Sequence, residues 1–310
     1  MQCMYQRGEL AGGGWESVVD DSIDGWTHTG LRVAELTTDD RLELPAGDVE
    51  RIVVPLAGAF SVSWADADGH DGTTALTGRR SVFDGPTDIL YLGAGASGVL
   101  SGAGRVAVAE APTTTVHPNR HVAVEEVPVE LRGAGRSSRQ VHNFGTPDAL
   151  EAAKLIVCEV VTPAENWSSY PPHKHDEHVP GHESRLEEIY YFESAVSKGL
   201  EAPPAADPFG MFATYSSPAG EIDINAIVRT GDVALVPFGY HGPAVAAPGY
   251  DLYYLNVMAG PDDERVWHIS DDPAHLWIRG TWEGQEIDGR LPYEAGIGTT
   301  SSSSENSEGQ

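Results

Sequence analysis

Short apolar runs alternate with clusters of glycine, proline and aspartate along most of this chain. The clearest runs are residues 51–54, 59–64, 104–110 and 154–162. Their lengths and flanking turn residues are typical of β-strands, and few stretches hold the 3.6-residue period of a helix. Only residues 147–154 and 272–278 are predicted as short helices. Many short strands in one chain form sandwiches or small barrels, so the pattern predicts an all-β fold.

A weak internal repeat divides the chain into two halves. The segment ILYLGAGAS (89–97) aligns with VALVPFGYH (233–241), which places Gly95 opposite Gly239 and Ser97 opposite His241. The 310 residues suffice for two domains with separate cores. A connector rich in glycine and serine covers 132–149. We therefore predict a first barrel without metal ligands (1–131), a similar second barrel (132–298) and a disordered polar tail (299–310).

Acidic residues dominate the charge of the chain. The 47 Asp and Glu outnumber the 19 Lys and Arg, which gives a formal net charge of -28 at pH 7. This balance argues against nucleic acid and against anionic membrane surfaces as partners, since both are bound by basic patches. The acidity fits a hydrated surface in a high-salt cytoplasm and equally an acidic protein at ordinary salt.

The chain shows no sign of export or membrane insertion. No 18 apolar residues run together, and the first residues lack a basic start followed by an apolar core. Its two cysteines, Cys3 and Cys158, lie far apart in the sequence, which argues against a disulfide framework. We therefore predict a cytoplasmic protein in a reducing compartment.

Candidate chemistry is concentrated in three segments of the second half. In SSYPPHKHDEH (168–178), His173 and His175 are spaced i and i+2, which on a strand directs both imidazoles to one face. The segment LEEIYYFES (186–194) begins with two carboxylates, and GDVALVPFGYH (231–241) ends with His241. Three imidazoles and one carboxylate suit Zn, Mn, Fe or Ni and leave positions open for substrate. A His-x-His pair alone is more often a surface pair; the convergence of three segments favours a metal site. His178 and His182 follow in a loop and are not expected to be ligands.

These segments resemble the two cupin motifs, although the second has one residue instead of two between its last glycine and its histidine. More narrowly, NWSSYPPHKHDEH, ESRLEEIYYF, GDVALVPFGYH and GYDLYYLNVMAGP, with RGAGRSSRQVHN ahead of them, resemble the 5-deoxy-glucuronate isomerase family of myo-inositol catabolism. That family is related to the 5-keto-4-deoxyuronate isomerases. The resemblance is strong over 131–278 and loose before it. It implies a bicupin, in which two double-stranded β-helix (jelly-roll) barrels follow in tandem.

The resemblance also implies a metal and a reaction. In cupins an apolar residue and then a tyrosine follow the ligand carboxylate, and EIYYF fits this with Glu188, which favours Glu188 over Glu187 beside His173, His175 and His241. The ion is expected to be zinc, with Mn, Fe and Ni as alternatives, and no organic cofactor is expected. The implied reaction converts 5-deoxy-D-glucuronate into 2-deoxy-5-keto-D-gluconate. The expected partner is thus a small sugar acid, and cupin sheet edges also allow a homo-oligomer.

Five side chains near these ligands are candidates for contact with substrate. Lys174 and Arg185 are cations suited to a carboxylate, although Lys174, between two ligands, should face away from the metal on a regular strand. Tyr190 follows the favoured carboxylate at i+2, where its phenol could donate to a substrate oxygen. Tyr254 and Asn256 alternate likewise in DLYYLNVMAGP. Surface roles for the cations and packing roles for the tyrosines compete with these assignments.

Three other functions stay open at this point. They are a uronate isomerase of the 5-keto-4-deoxyuronate type, a metal-dependent cupin dioxygenase, and a cupin that binds a sugar acid without catalysis. No segment resembles a helix-turn-helix or another DNA-reading module.

Overall fold

The structure of the protein, a computed structural model, describes residues 2–294 and is built almost entirely of strands. The strands are β1 (Met4–Tyr5), β2 (Ser17–Val19), β3 (Gly30–Leu36), β4 (Arg41–Leu44), β5 (Val49–Ala65), β6 (Asp71–Arg79), β7 (Ile89–Leu92), β8 (Ser97–Pro112), β9 (Arg120–Val122), β10 (Val129–Arg132), β11 (Arg139–His142), β12 (Ile156–Thr162), β13 (Trp167–Ser168), β14 (His173–Lys174), β15 (Asp176–Val179), β16 (Glu183–Arg185), β17 (Glu187–Val196), β18 (Gly210–Ser217), β19 (Gly220–Val228), β20 (Val233–Val236), β21 (Tyr240–Ala246), β22 (Tyr250–Ala259) and β23 (Ser270–Asp271). Three 3-10 helices cover Val124–Glu126, Gly135–Ser137 and Leu276–Trp282. The predicted all-β class is confirmed. No helix in this part of the chain is long and apolar enough to cross a membrane.

Both predicted helices need correction. Residues 147–154 form a turn followed by irregular chain: the Leu150 N–H still donates to the Thr146 carbonyl, but those of residues 153–155 donate to the Glu50 carboxylate. The second helix is of the 3-10 type and begins at Leu276, four residues later than predicted. In the first segment a tertiary contact, and in the second a turn, forms hydrogen bonds with the backbone groups that an α-helix would use.

The strands form antiparallel sheets. An eight-stranded sheet has the order β2-β3-β8-β5-β7-β9, with β4 on β8 and β6 on β5. A seven-stranded sheet has the order β1-β20-β17-β22-β12-β11-β10. A six-stranded sheet has the order β19-β18-β21-β14-β23, with β13 on β21, and β15 pairs with β16. Strand β1, from the start of the chain, thus joins the sheet of the second half. The division near residue 131 stays a prediction, and residues 295–310, with the predicted disordered tail, lie outside the described residues.

Apolar residues alternate between two cores on the seven-stranded sheet. On β17, Ile189 and Tyr191 face the eight-stranded sheet, and Tyr190 and Phe192 face the six-stranded sheet. The first face of the sheet packs against the other half of the chain. The second face lines the interior of the C-terminal barrel. A third core lies on the far face of the eight-stranded sheet, around Val53. Because side chains alternate with period 2, each residue on β17 is committed to one of two environments.

The aligned turns of the internal repeat share a backbone conformation. Gly95 and Gly239 have φ angles of 84° and 98°, in the left-handed region that favours glycine. A Cβ on Gly239 would lie 2.4 Å from Ile222 Cγ2. In each half the turn joins two strands, and the residue two positions after the glycine is Ser97 in the first and His241 in the second.

A buried ion pair connects the two halves. Arg79 donates from Nη1 and Nη2 to the Glu159 oxygens at 2.5 and 2.6 Å, and both side chains are almost fully buried. His142 and Tyr253 also contact that carboxylate, through Nδ1 at 2.5 Å and the phenol at 2.7 Å. Burial opposes ionisation, but the guanidinium outweighs it and lowers the pKa of Glu159 to about 2. Glu159 is therefore ionised, and its buried charge is stabilised by the contacts with Arg79, His142 and Tyr253.

Replacing Arg79 by Met should lower the free energy of unfolding by about 3 to 5 kcal/mol, because a buried carboxylate is left without its cation. Chemical denaturation measures this change. Arg80→Met is the matched control, since the Arg80 side chain is 74% exposed. Equal denaturation midpoints for the two variants would contradict a stabilising role for the buried pair.

Candidate metal centre

Three histidines and a glutamate converge inside the C-terminal barrel. Strand β14 pairs with β21 so that His173 lies directly opposite His241. The ring centroid of His241 lies 4.5 Å from that of His173 and 4.6 Å from that of His175. Glu188 enters from β17, and its Oε2 lies 3.0 Å from His175 Nε2 and 3.1 Å from His241 Nε2. His175, Glu188 and His241 are each 2% exposed or less.

Backbone carbonyls fix the orientation of all three imidazoles. The Nδ1 atoms of His173, His175 and His241 lie 3.2, 3.2 and 3.1 Å from the carbonyl oxygens of Pro171, Leu186 and Gly239 respectively. A carbonyl only accepts, so each Nδ1 carries a proton and each neutral ring keeps its lone pair on Nε2. A hydrogen bond from Nδ1 to a backbone carbonyl is typical of histidines that bind metals through Nε2.

The donor set fits a divalent cation. Neutral rings would turn the Nε2 lone pairs of His175 and His241 toward an ionised carboxylate, with no positive charge between them. His241 Nε2 is buried and has no hydrogen-bond partner of suitable geometry, although Glu188 is 3.1 Å away. Burial would raise the pKa of Glu188, but His241 and His175 in their protonated form outweigh it and hold that pKa below its usual range. A bound cation supplies the missing charge without two protonated imidazoles.

Glu187 serves a different part of the structure. Its carboxylate accepts from the backbone N–H of Thr27 at 3.2 Å and from that of His28 at 2.7 Å, both in the N-terminal half. Neighbouring residues on a strand face opposite sides, so Glu187 and Glu188 serve the contact between the halves and the barrel interior respectively. This placement agrees with the preference for Glu188.

Both predicted cations form salt bridges with acidic side chains. Lys174 Nζ donates to Asp176, Glu177 and Glu183 at 2.7, 2.8 and 2.8 Å. Burial opposes the charge, but these bonds outweigh it and raise the pKa of Lys174. An ammonium has three donors, so none is left for a substrate. Arg185 is about half exposed and pairs with Asp262 at 3.3 Å.

Lys174 instead helps to hold the ligand segments together. Asp176, which it contacts, accepts through Oδ2 from the Gly239 N–H at 2.8 Å. The strand that carries His173 is thereby tied to the turn that carries His241. Asp176 is not among the predicted site residues; the acids in HKHDEH were the only signal, and a solvated loop explained them equally well.

Aromatic and amide groups line the barrel interior beside the imidazoles. The Tyr190 ring lies 6.2 Å from His241 and 5.1 Å from Tyr254. The Tyr190 phenol is 3.2 Å from Ser169 Oγ, and burial, followed by the charge of Glu188, raises its pKa. Asn256 lies opposite Tyr190 in the β17–β22 register, and its Nδ2 is buried without a partner among the described residues.

Other histidines and acids lie apart from this cluster. His178 is about half exposed and lies 3.0 Å from Asp262. In the described part of the first half, Asp66, Asp68 and His70 come close together on a turn with partly exposed side chains. The prediction that the first barrel lacks a metal stays a prediction.

Comparison with known proteins supplies the family. The family model described as KduI/IolB matches residues 4–278. The chain belongs to the KduI/IolB family. The predicted resemblance to the isomerase family is confirmed.

Relatives in this family share most of their length with the chain. The 5-deoxy-glucuronate isomerase of Geobacillus thermodenitrificans is 38% identical over 82% of this chain and 87% of the relative. The enzyme of the same name from Lacticaseibacillus casei is also 38% identical, over 84% and 91%. An IolB-like protein from Salmonella typhimurium superposes with a TM-score of 0.78 at 32% identity, over 90% of this chain and 99% of that one.

A more distant likeness shows the fold. Oxalate decarboxylase from Lactobacillus farciminis superposes with a TM-score of 0.61 at 11% identity, over 92% of this chain and 96% of its own. The predicted bicupin fold is thereby confirmed. The Bacillus subtilis oxalate decarboxylase, with a TM-score of 0.58 at 11% identity over 87% of this chain and 79% of its own, has Mn(II) centres.

The adjacent glutamates provide a matched test of the metal centre. Glu188→Gln should weaken metal affinity by at least about 100-fold, because loss of outer-shell partners alone costs about 10- to 100-fold. Glu187→Gln should keep the metal and lower the free energy of unfolding by about 1 to 2 kcal/mol, because its carboxylate accepts from two backbone N–H groups and the Thr27 hydroxyl. Metal titration and denaturation separate the two effects. Loss of metal from Glu187→Gln, with Glu188→Gln unaffected, would reverse the assignment.

Proposed function

We propose that this chain is a metal-dependent aldose-ketose isomerase that converts 5-deoxy-D-glucuronate into 2-deoxy-5-keto-D-gluconate in myo-inositol catabolism. The observation that carries the proposal is the convergence of His175 and His241 on the buried Glu188 carboxylate, with the His173 ring beside His241, in a chain of the KduI/IolB family. Relatives of that name, matched over most of their length, support the substrate. The partner is then a small sugar acid; a cytoplasmic location and a homo-oligomer stay predictions.

The proposed ligands are His173, His175, Glu188 and His241. A divalent ion held by them, zinc first and Mn, Fe or Ni as alternatives, would act as a Lewis acid toward a carbonyl and the adjacent hydroxyl oxygen. The chain itself holds each Nε2 in place through the Nδ1 contact with a carbonyl, so little reorganisation is required when substrate binds.

Residues beside the ligands bind and orient substrate. Burial raises the pKa of Tyr190, so its phenol stays protonated and donates a hydrogen bond in place of removing a proton. The partnerless Nδ2 of Asn256 offers a second donor for a substrate hydroxyl or carbonyl oxygen. Phe192, Phe212 and Tyr254 surround Tyr190 and limit the access of water to this side of the site.

Anaerobic turnover tests the proposal against oxygen chemistry. The purified, metal-loaded protein should convert 5-deoxy-glucuronate without oxygen, because isomerisation moves hydrogen within one molecule. His175→Ala should reduce turnover at least about 1,000-fold by removing a buried donor. His178→Ala is the matched control and should keep turnover, since that ring lies outside the cluster.

Three other results would redirect the assignment. A requirement for oxygen would favour a dioxygenase, and turnover of a 5-keto-4-deoxyuronate alone would favour the related isomerase class. If the metal is fully bound and neither substrate is turned over, the proposal is wrong and a non-catalytic sugar-acid-binding protein is favoured.

A further inference from the structure

Arg139 is a buried cation in the wall of the C-terminal barrel. It begins β11 and is 9% exposed. Side chains alternate along β11, so Arg139 faces the same side as Val141, which packs in the core that contains Tyr190 and Tyr254. Gln140 faces the other way and bonds to the backbone of Tyr293.

No acid neutralises this guanidinium among residues 2–294. Its Nη1 donates to the Ser137 carbonyl at 3.0 Å, and its Cζ lies 5.6 Å from the Trp282 ring. Three other largely buried arginines each meet a carboxylate: Arg51 with Glu110, Arg79 with Glu159 and Arg105 with Glu193. Arg265, which likewise pairs with no acid in the described residues, donates to three backbone carbonyls. Within the described part of the chain, Arg139 has one acceptor for its five N–H donors.

The surroundings make this charge more costly. Arg132 lies opposite Arg139 in the β10–β11 register, and Arg279 shares the Trp282 ring with it. Asp271 is engaged by Arg279 in a two-bond pair at 2.5 and 2.7 Å. Burial, with the charges of Arg132 and Arg279, lowers the pKa of Arg139 to about 10. The group is still charged at neutral pH, and an unpaired buried charge is expensive to keep.

Two chains of neighbouring residues lead from Arg139 to the metal centre. The guanidinium is near enough to act on the Tyr254 phenol, and the Tyr254 ring lies 5.1 Å from Tyr190, which lies 6.2 Å from His241. On the other side, Asp271 also acts on the guanidinium and is paired through β23 with His173. Arg139 and the imidazoles therefore share neighbours, which are Tyr254 and Tyr190 on one side and Asp271 on the other.

We propose that Arg139 binds the carboxylate of the sugar-acid substrate and sets the orientation of the substrate against the metal centre. The inference rests on the proposed function, because 5-deoxy-glucuronate reacts at its aldehyde end and carries its carboxylate at the opposite end. A site for it requires a cation at a distance from the metal. The guanidinium fork matches a carboxylate with two parallel hydrogen bonds. Arg139 takes the role that the sequence assigns to Lys174 or Arg185, both of which have acidic partners.

The test compares an acid with its neutral ester. With the metal-loaded enzyme, Arg139→Gln should lower kcat/KM for 5-deoxy-glucuronate by about 100-fold, as for other buried charge pairs that lose one partner. It should change kcat/KM for the methyl ester of the same sugar by less than about threefold, because the ester has no charge to pair. Arg132→Gln, which removes a neighbouring positive charge paired with Glu130, is the matched control and should leave both values near wild type.

Two kinetic results would overturn the inference. One is an equal loss of kcat/KM for acid and ester in Arg139→Gln. The other is a loss of kcat/KM in Arg132→Gln as large as that in Arg139→Gln, which would indicate a general electrostatic effect of positive charge near the site. If Arg139→Gln does not fold, Arg139→Lys decides: it keeps the charge and loses the fork, so it should lower kcat/KM for the acid alone by about tenfold. No loss in Arg139→Lys would then count against the inference.

A binding measurement separates this inference from the proposed function. Failure of the wild-type enzyme to isomerise 5-deoxy-glucuronate would defeat the function. Calorimetric titration of the same metal-loaded protein with D-glucuronate and D-glucose would still test Arg139. A preference for the acid in wild type that disappears in Arg139→Gln supports it, and the absence of a preference in wild type, or its survival in the variant, overturns it.

Discussion

The site depends on the contact between each of three imidazole Nδ1 atoms and a backbone carbonyl. These contacts leave the Nε2 atoms as acceptors, and two of those atoms face a carboxylate that is itself an acceptor within about 3 Å. Such an arrangement is stable when a positive charge lies between the groups. The carbonyls belong to residues 171, 186 and 239, at turns and strand ends. The irregular backbone around the strands therefore determines the chemistry of the site.

The sheets determine which side chains reach it. Strand β17 lies between β20 and β22, and its residues alternate between the contact of the two halves and the barrel interior. Glu187 consequently accepts backbone N–H groups of the N-terminal half, and Glu188 meets the imidazoles. A register slip of one residue would exchange these environments, so the same alternation secures both the domain contact and the metal centre.

Much of this arrangement could be predicted from the sequence, because it follows from local periodicity and spacing. The all-β class, the face shared by His173 and His175, and the turn before His241 are of this kind. The helix at 147–154 could not be corrected locally, since Glu50, about a hundred residues earlier, takes its N–H groups. Lys174 was ambiguous because its third acid, Glu183, comes from β16, two strands further along the chain. Arg139 lies in RGAGRSSRQVHN, one of the segments that carry the family resemblance, but nothing local marks it as a site residue, because the lack of an acidic partner among residues 2–294 is a property of the folded chain.

The most direct test of the account is anomalous X-ray diffraction from crystals of the metal-loaded protein, recorded on both sides of the absorption edge of the bound metal. The account predicts one strong anomalous peak per chain, within bonding distance of the Nε2 atoms of His173, His175 and His241 and of a Glu188 oxygen. A peak elsewhere, such as at Asp66 and His70 in the first half, or full occupancy with Nδ1 atoms as ligands, would contradict it.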